Sequence, residues 1–392
     1  MGKTVIFVGG GASSLIGAIE LKQAHRDFNV IILEKNDCLG RKLKASGSGR
    51  CNIAPVNSSL DVYYNSEFVK KTIGSISLDR YLFNLSQLGI VTKEVKGVGY
   101  YPISESANNV VYILEQKLIK LGVQIVLNCR VLDYAKVNDK YIVKTDKENY
   151  EADVVVFANG GSSYTSLGGE DTLSNIFINH GYHFVTQKPV LTPIKVKENI
   201  HLLNGVRVNA TVSLINNRYP VFKEAGEVQF RKDGLSGIVV FNISRHIDQN
   251  EKYSIVLDLL HTNDVSVTEQ AFVNISKNNP NHIYSLVNKQ IVNFCLSRLD
   301  IDSLENCSEN EFKSIYRFLC NITFTFKSLF SLEHATVSRG GIDVKQINYD
   351  FSSKIEKNIY FLGEIIDVDG PCGGYSLRFA ITTGFLFGRF FK

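Results

Sequence analysis

Gly9-x-Gly11-x-x-Ser14, followed by Glu34 23 residues after Gly11, is the first pattern in the chain that could do chemistry. It is a near match to G-x-G-x-x-G, the glycine fingerprint that cradles a dinucleotide. Gly9 allows the tight turn, and Gly11 lets the backbone approach a pyrophosphate. A helix opening at Ala12, Ser13 and Ser14 would aim its N–H groups and positive dipole end at the phosphates. Ser14 stands where a third glycine would permit close helix–strand packing, and a serine is small enough to be tolerated. Glu34 sits where a carboxylate can accept both ribose hydroxyls and disfavours a 2′-phosphate. A glycine-rich loop in an unrelated α/β protein is the plainer alternative. The acid at this spacing argues against it.

The fingerprint alone does not separate FAD from NAD; the next segment does. Gly40-Arg41-Lys42-Leu43-Lys44-Ala45-Ser46-Gly47-Ser48-Gly49-Arg50-Cys51-Asn52 is basic and glycine-rich. Arg41, Lys42 and Arg50 could neutralise phosphates or hold the polar edge of a flavin. Small residues such as Ser46 and Gly49 leave room for a bulky ring. A solvated basic loop is the competing reading. No second G-x-G-x-x-G follows a strand, since Gly160-Gly161 and Gly340-Gly341 do not fit, so no dedicated NAD(P)H domain is expected. No C-x-x-C occurs among the seven cysteines, which argues against a disulfide reductase and a zinc knuckle. Asp367 and Asp369 lack a third ligand at metal spacing, and no metal is expected. No catalytic acid declares itself. Tyr101, Tyr164, Tyr375, Cys372 and Arg378 are the reactive or charged groups in plausible loops.

These residues need elements to hold them. Thr4–Val8 is an apolar run ending at the glycines, Ala12 to Ala24 has helical spacing, and Asn29–Leu33 is a second β-branched run closed by Glu34. Strand, glycine turn, helix, strand and acid within 34 residues describe a βαβ unit with a right-handed crossover. Ser66 to Gly89 and Asn108 to Leu121 read as helices. Val131 to Tyr150 alternates around Asn138-Asp139, a hairpin signature. Asp153 to Ala158 is a continuous apolar strand ending at Asn159-Gly160-Gly161, as in the interior of a parallel sheet. Short alternating strands fill 189–258, a polar helical pattern fills 264–325, and 331–345 reads as strand. Asn358 to Leu362 is again a strand, and Tyr375 to Phe391 a helix.

The chain has 392 residues, 44% apolar and 21% charged, with a net charge of +4. That length suggests two or three domains. The weak positive charge, with no basic stripe interleaved with aromatics, argues for no nucleic-acid partner. No apolar run approaches the roughly 18 residues of a membrane span. Met1-Gly2-Lys3-Thr4 leads straight into a strand, so no secretory leader is expected. Scattered thiols suit a reducing compartment, and a cytoplasmic location is expected.

Four stretches carry a family resemblance: Gly9–Leu15 with Glu34-Lys35; Leu39 to Asn52; Leu191-Thr192-Pro193; and Gly363-Glu364-Ile365-Ile366-Asp367-Val368-Asp369-Gly370-Pro371-Cys372-Gly373-Gly374-Tyr375. Together the chain resembles bacterial NAD(P)/FAD-dependent oxidoreductases that include bile-acid dehydro-steroid reductase-like and aminoacetone oxidase-like members. The resemblance implies an α/β fold, with a discontinuous FAD-binding Rossmann-like domain of glutathione-reductase type. An inserted small β domain and a helical subdomain would interrupt it. Expected boundaries are 1–188 with 346–392 for the FAD domain, 189–263 with 326–345 for the β domain, and 264–325 for the helical part. It implies Glu364 near the ribityl chain, and Gly373, Gly374 and Tyr375 opening a helix that faces the flavin pyrimidine. Further cofactor contacts are expected at Lys35, Asn52, Val131, Ala158, Asn159, Gly160, Gly363 and Asp369. The activity implied is reduction of a conjugated C=C bond in a small substrate, with NAD(P)H as a transient donor. Oxidation of a small amine, and flavin binding without turnover, are the alternatives. Ser14, Ser48, Asn159, the 168–172 segment and Gly99-Tyr100-Tyr101-Pro102 depart from the family pattern.

Overall fold

Five short strands form one parallel sheet, and the inner strand Val154–Phe157 is buried throughout. A computed structural model of the chain describes residues 2–391. In it the strands lie in the order Ile359–Phe361, Val154–Phe157, Thr4–Val8, Asn29–Leu33 and Gln124–Val126. Every pair is parallel, with Val5 opposite both Val30 and Val154. Such a sheet needs cover on both sides. The helix Ala12–Ala24 supplies part of it and packs along the final helix Tyr375–Phe390. The two chain ends therefore share one core.

The hairpin signature at Asn138-Asp139 turns Val131–Val137 into Lys140–Thr145, with Asn138 at φ 57°. Tyr150–Ala152 adds a third antiparallel strand. The helical reading over 66–89 divides into Ser66–Ile73 and Leu78–Gln87. Ser77 causes the break: its side chain accepts the Arg80 N–H as an N-cap, restarting the helix.

Two compact units result, Met1–Pro189 with Thr336–Lys392, and Val190–Ala335. The return into the first unit comes earlier than the expected 346. The reason is pairing: Val337–Ile342 forms a two-stranded sheet with Phe184–Val190. The second unit is a closed antiparallel barrel of Ile194–Val196, Gly234–Ser236, Tyr219–Arg231, Arg207–Asn216, Tyr253–Asp258 and Ile322–Leu329. Its helices Glu269–Asn278, Lys289–Leu299 and Glu309–Leu319 bury Phe272, Ile291 and Phe312 in the same core as barrel residues Val212 and Phe230. The segment 264–325 thus has no core of its own. Its amphipathic helices bury their apolar faces against one another and against the barrel in one shared core.

Candidate functional site

Four neighbouring parallel strands end at one edge of the sheet. Val8 leads into Gly9–Gly11, Leu33 into Glu34, Phe157 into Ala158–Gly161, and Phe361 into Leu362–Glu364. Ligands of open parallel sheets bind outside such carboxyl ends.

Gly9 has φ 98°, and its N–H donates to Leu33 O at 2.8 Å. A Cβ there would lie 2.7 Å from Asn159 Cα and 2.8 Å from Ala158 O, so only glycine fits. Gly11 is the N-cap of a 13-residue helix that has no side-chain cap. A Cβ on Gly11 would meet nothing nearer than Ala158 O at 3.8 Å. Glu34 is buried. Its Oε2 accepts the Gly10 N–H at 2.6 Å, and its Oε1 accepts the Asn36 N–H and Nδ2 at 2.8 and 2.6 Å. A carboxylate offers about four acceptor positions. Three are taken by the protein, which leaves room for one ribose hydroxyl where the sequence suggested two.

Three basic residues near the site pair with acids of the chain. Arg41 turns to Asp37 at 2.9 Å, a surface i,i+4 pair. Arg50 donates to Glu105 at 2.7 Å and lies over the Tyr101 ring. Lys35 pairs with Glu170, which Arg130 also holds. Acids close by in space pair with all three. Lys42 alone reaches the strand ends: it donates to Gly161 O at 2.7 Å, Ser163 Oγ at 3.2 Å and Glu364 Oε2 at 3.2 Å. The Ser338 N–H and the Ser163 hydroxyl donate to Glu364 Oε1 at 3.0 and 3.1 Å. Burial pushes the Glu364 carboxyl up, but the Lys42 charge and these hydrogen bonds outweigh it and hold the group below the usual carboxylate range.

The tail signature meets both early motifs. A Cβ on Gly363 would fall 2.8 Å from Ser13 Oγ, and one on Gly374 would fall 2.9 Å from Asn52 Oδ1. Gly373 and Gly374 precede the final helix, which has no side-chain cap. Tyr375 is buried, and its carbonyl accepts the Tyr63 hydroxyl at 2.8 Å. Asp369 is held differently: Arg339 grips both its carboxylate oxygens at 2.5 and 3.0 Å. Arg378 is buried and donates to Ser58 O at 3.1 Å. Ser46 Oγ donates to Leu43 O, and nothing lies near the Gly49 Cα on its side-chain face. Val131 and Ala158 are buried, and the Asn159 amide donates weakly to Gly160 O at 3.4 Å.

Sequence reasoning missed Ser163, Ser338, Arg339 and the run Tyr63–Asn65. Each is an ordinary polar residue far along the chain from its partner, and no spacing marks it. The glycine turn, the uncapped helix start and the acid at the strand ends suit an adenine dinucleotide. Buried Ser14 Oγ, Asn52 Oδ1, Asn159 Oδ1 and Ser162 Oγ have no hydrogen-bond partner in the protein. All four lie in or beside the loops just described, and buried polar atoms ordinarily have partners.

The HI0933-like protein Rossmann domain model matches residues 3–390. The chain belongs to this family. It is 29% identical over 97% of its length to a 3-dehydro-bile acid delta(4,6)-reductase of Clostridium scindens, and covers 97% of that protein. It is 24% identical over 97% of its length to a ribosomal RNA dihydrouridine synthase of Haemophilus influenzae, 96% of which is covered. Among solved structures, the 3-ketosteroid delta1-dehydrogenase of Sterolibacterium denitrificans superposes with a TM-score of 0.50 at 13% identity, covering 98% of this chain and 99% of that one. That likeness is one of fold. No described helix is long and apolar enough to cross a membrane.

Proposed function

We propose that this chain is an FAD-dependent oxidoreductase that uses NAD(P)H to reduce a C=C bond in a small, steroid-like substrate. The observation that carries the reading is the meeting of the glycine turn, Glu34, Asn159–Gly161 and Gly363–Glu364 at four adjacent strand ends. Bound flavin would supply the hydride chemistry. The chain's residues would bind and orient it. The uncapped helix at Gly11 would receive the pyrophosphate, and the remaining acceptor position of Glu34 would receive a ribose hydroxyl. Lys42 and Glu364 would brace the loop beside Gly160. The uncapped start of the final helix would set a positive dipole end toward developing negative charge. The substrate class follows the bile-acid reductase relative, matched end to end.

Purified protein is expected to show oxidised-flavin absorption that NADH or NADPH bleaches anaerobically and that a 3-keto-Δ4,6 steroid restores. Glu34→Ala is expected to weaken FAD retention about tenfold or more, since a hydrogen bond to a charged group contributes about 1.5–3 kcal/mol. Protein that stays colourless after incubation with FAD sinks the reading. Reduction by amines with peroxide release, and none by nicotinamides, would make it an oxidase. Flavin that no reductant turns over would leave a binding protein.

A second reading takes ribosomal RNA as substrate, because saturating the uridine ring is also a C=C reduction. The barrel unit favours it with a cleft of ≈ 500 Å³ lined by Lys197, Arg218, Lys252 and Lys327 against one acid, Glu251. Among the described residues, no ion pair neutralises these four cations. On this reading, affinity for a ribosomal RNA fragment falls steeply with salt, by about 0.7 log units per tenfold salt for each phosphate contacted. Lys252→Glu with Lys327→Glu abolishes that binding. On the first reading both the salt slope and the double variant leave steroid reduction unchanged.

A further inference from the structure

The barrel unit gathers one carboxylate, one imidazole and one thiol that the proposed chemistry does not use. Asp258 ends the strand Tyr253–Asp258, His261 follows in the next turn, and Cys320 precedes the strand Ile322–Leu329. The two strands are antiparallel neighbours with Leu257 opposite Ile322, which brings all three residues to one end of the barrel. One donor atom from each lies within 4.8 Å of the others. His261 Nδ1 is 3.0 Å from Asp258 Oδ2 and 3.8 Å from Cys320 Sγ.

Tyr316 lies on the far side of the ring. Its hydroxyl donates to Val267 O at 2.9 Å and sits 3.4 Å from His261 Nε2. An imidazole with its proton on Nε2 would present the Nδ1 lone pair to the cluster. A proton on Nδ1 would serve the Asp258–His261 pair alone, whereas a metal ion engages the carboxylate, the imidazole and the thiolate together. The backbone is already set for it. Asp258 Oδ1 accepts the Leu260 and His261 N–H groups at 3.0 Å each, leaving Oδ2 as the ligand oxygen, and the His261 carbonyl accepts Thr211 Oγ1 at 2.6 Å. Ligating histidines ordinarily give their second N–H to such an outer partner.

We infer that Asp258, His261 and Cys320 form a binding site for one zinc-class ion. Mixed N, S and O donors suit zinc, and three protein ligands leave a fourth tetrahedral position for water. The ion would staple the end of the Tyr253–Asp258 and Ile322–Leu329 ladder. Full-length protein stripped with chelator and dialysed against zinc is expected to retain one equivalent per chain. Cys320→Ser and His261→Ala should each weaken retention at least tenfold, and Tyr316→Phe about tenfold through loss of the outer hydrogen bond. X-ray absorption at the zinc edge should show a sulfur neighbour at about 2.3 Å in the wild type, absent in Cys320→Ser. Should a variant fail to fold, the wild-type sulfur shell decides alone. Substoichiometric zinc, a shell without sulfur, or retention indifferent to Cys320 would overturn the inference.

Discussion

Asp369→Ala is expected to lower the stability of the first unit by about 3–5 kcal/mol, the usual consequence of removing one half of a buried ion pair. The Asp369 side chain is wholly buried, and that of Arg339 is only 15% exposed. Removing the carboxylate takes two charge-assisted hydrogen bonds from the guanidinium, which also lies over the Tyr64 ring, 4.3 Å from its centroid. A cation–π contact of about 1–2 kcal/mol does not replace two charge-assisted hydrogen bonds. The damage should reach the site, because this stretch anchors the tail signature. Tyr64 N–H donates to Asp369 O, Asn65 Nδ2 to Asp367 O, and Tyr63 hydroxyl to Tyr375 O. Chemical denaturation followed by far-ultraviolet dichroism measures the loss. Replacing both partners, Asp369→Leu with Arg339→Met, should recover most of it, since a well-packed apolar pair often substitutes for a buried ion pair at little cost. A loss below about 1 kcal/mol for Asp369→Ala would refute the anchoring role.

Gly384→Val carries the second large effect, and here two principles oppose each other. Helix propensity favours any side chain over glycine by up to about 1 kcal/mol. Packing opposes it: a Cβ on Gly384 would lie 2.5 Å from Ser13 O and 3.0 Å from Gly17 N. Both neighbours are backbone atoms of the first helix, which cannot rotate away. Overpacking of this kind costs about 1–3 kcal/mol and more when the backbone must move, so contact outweighs propensity. The variant should melt well below the wild type. It should also release cofactor, because Thr383 accepts the Gly363 N–H at 3.1 Å and couples this helix to the strand-end loop. Gly384→Ala tests the sign. A stabilised Gly384→Ala protein would show that the helices can part without penalty.

Much of the architecture was legible because its signals are local. The run Thr4–Val8, the glycines and the run Asn29–Leu33 lie within 34 residues, and their order admits one handed crossover. The hairpin at Asn138-Asp139 is equally local. The segment 264–325 reads in sequence as a helical subdomain but shares the barrel's core, because amphipathic spacing states that a face is buried without saying against what.

By itself, then, the amino-acid sequence determined the elements, the glycine turn and the acid that follows it, all of which depend on φ preferences and apolar spacing over a few residues. Only the tertiary structure decided how charges are assigned. Lys42 meets Glu364 across 322 positions, Arg339 takes Asp369, and Arg50 and Lys35 turn to Glu105 and Glu170. The physical reason is that a charged side chain takes the acceptor nearest in space, and nearness in space follows from strand order and helix packing, which no short window of residues contains.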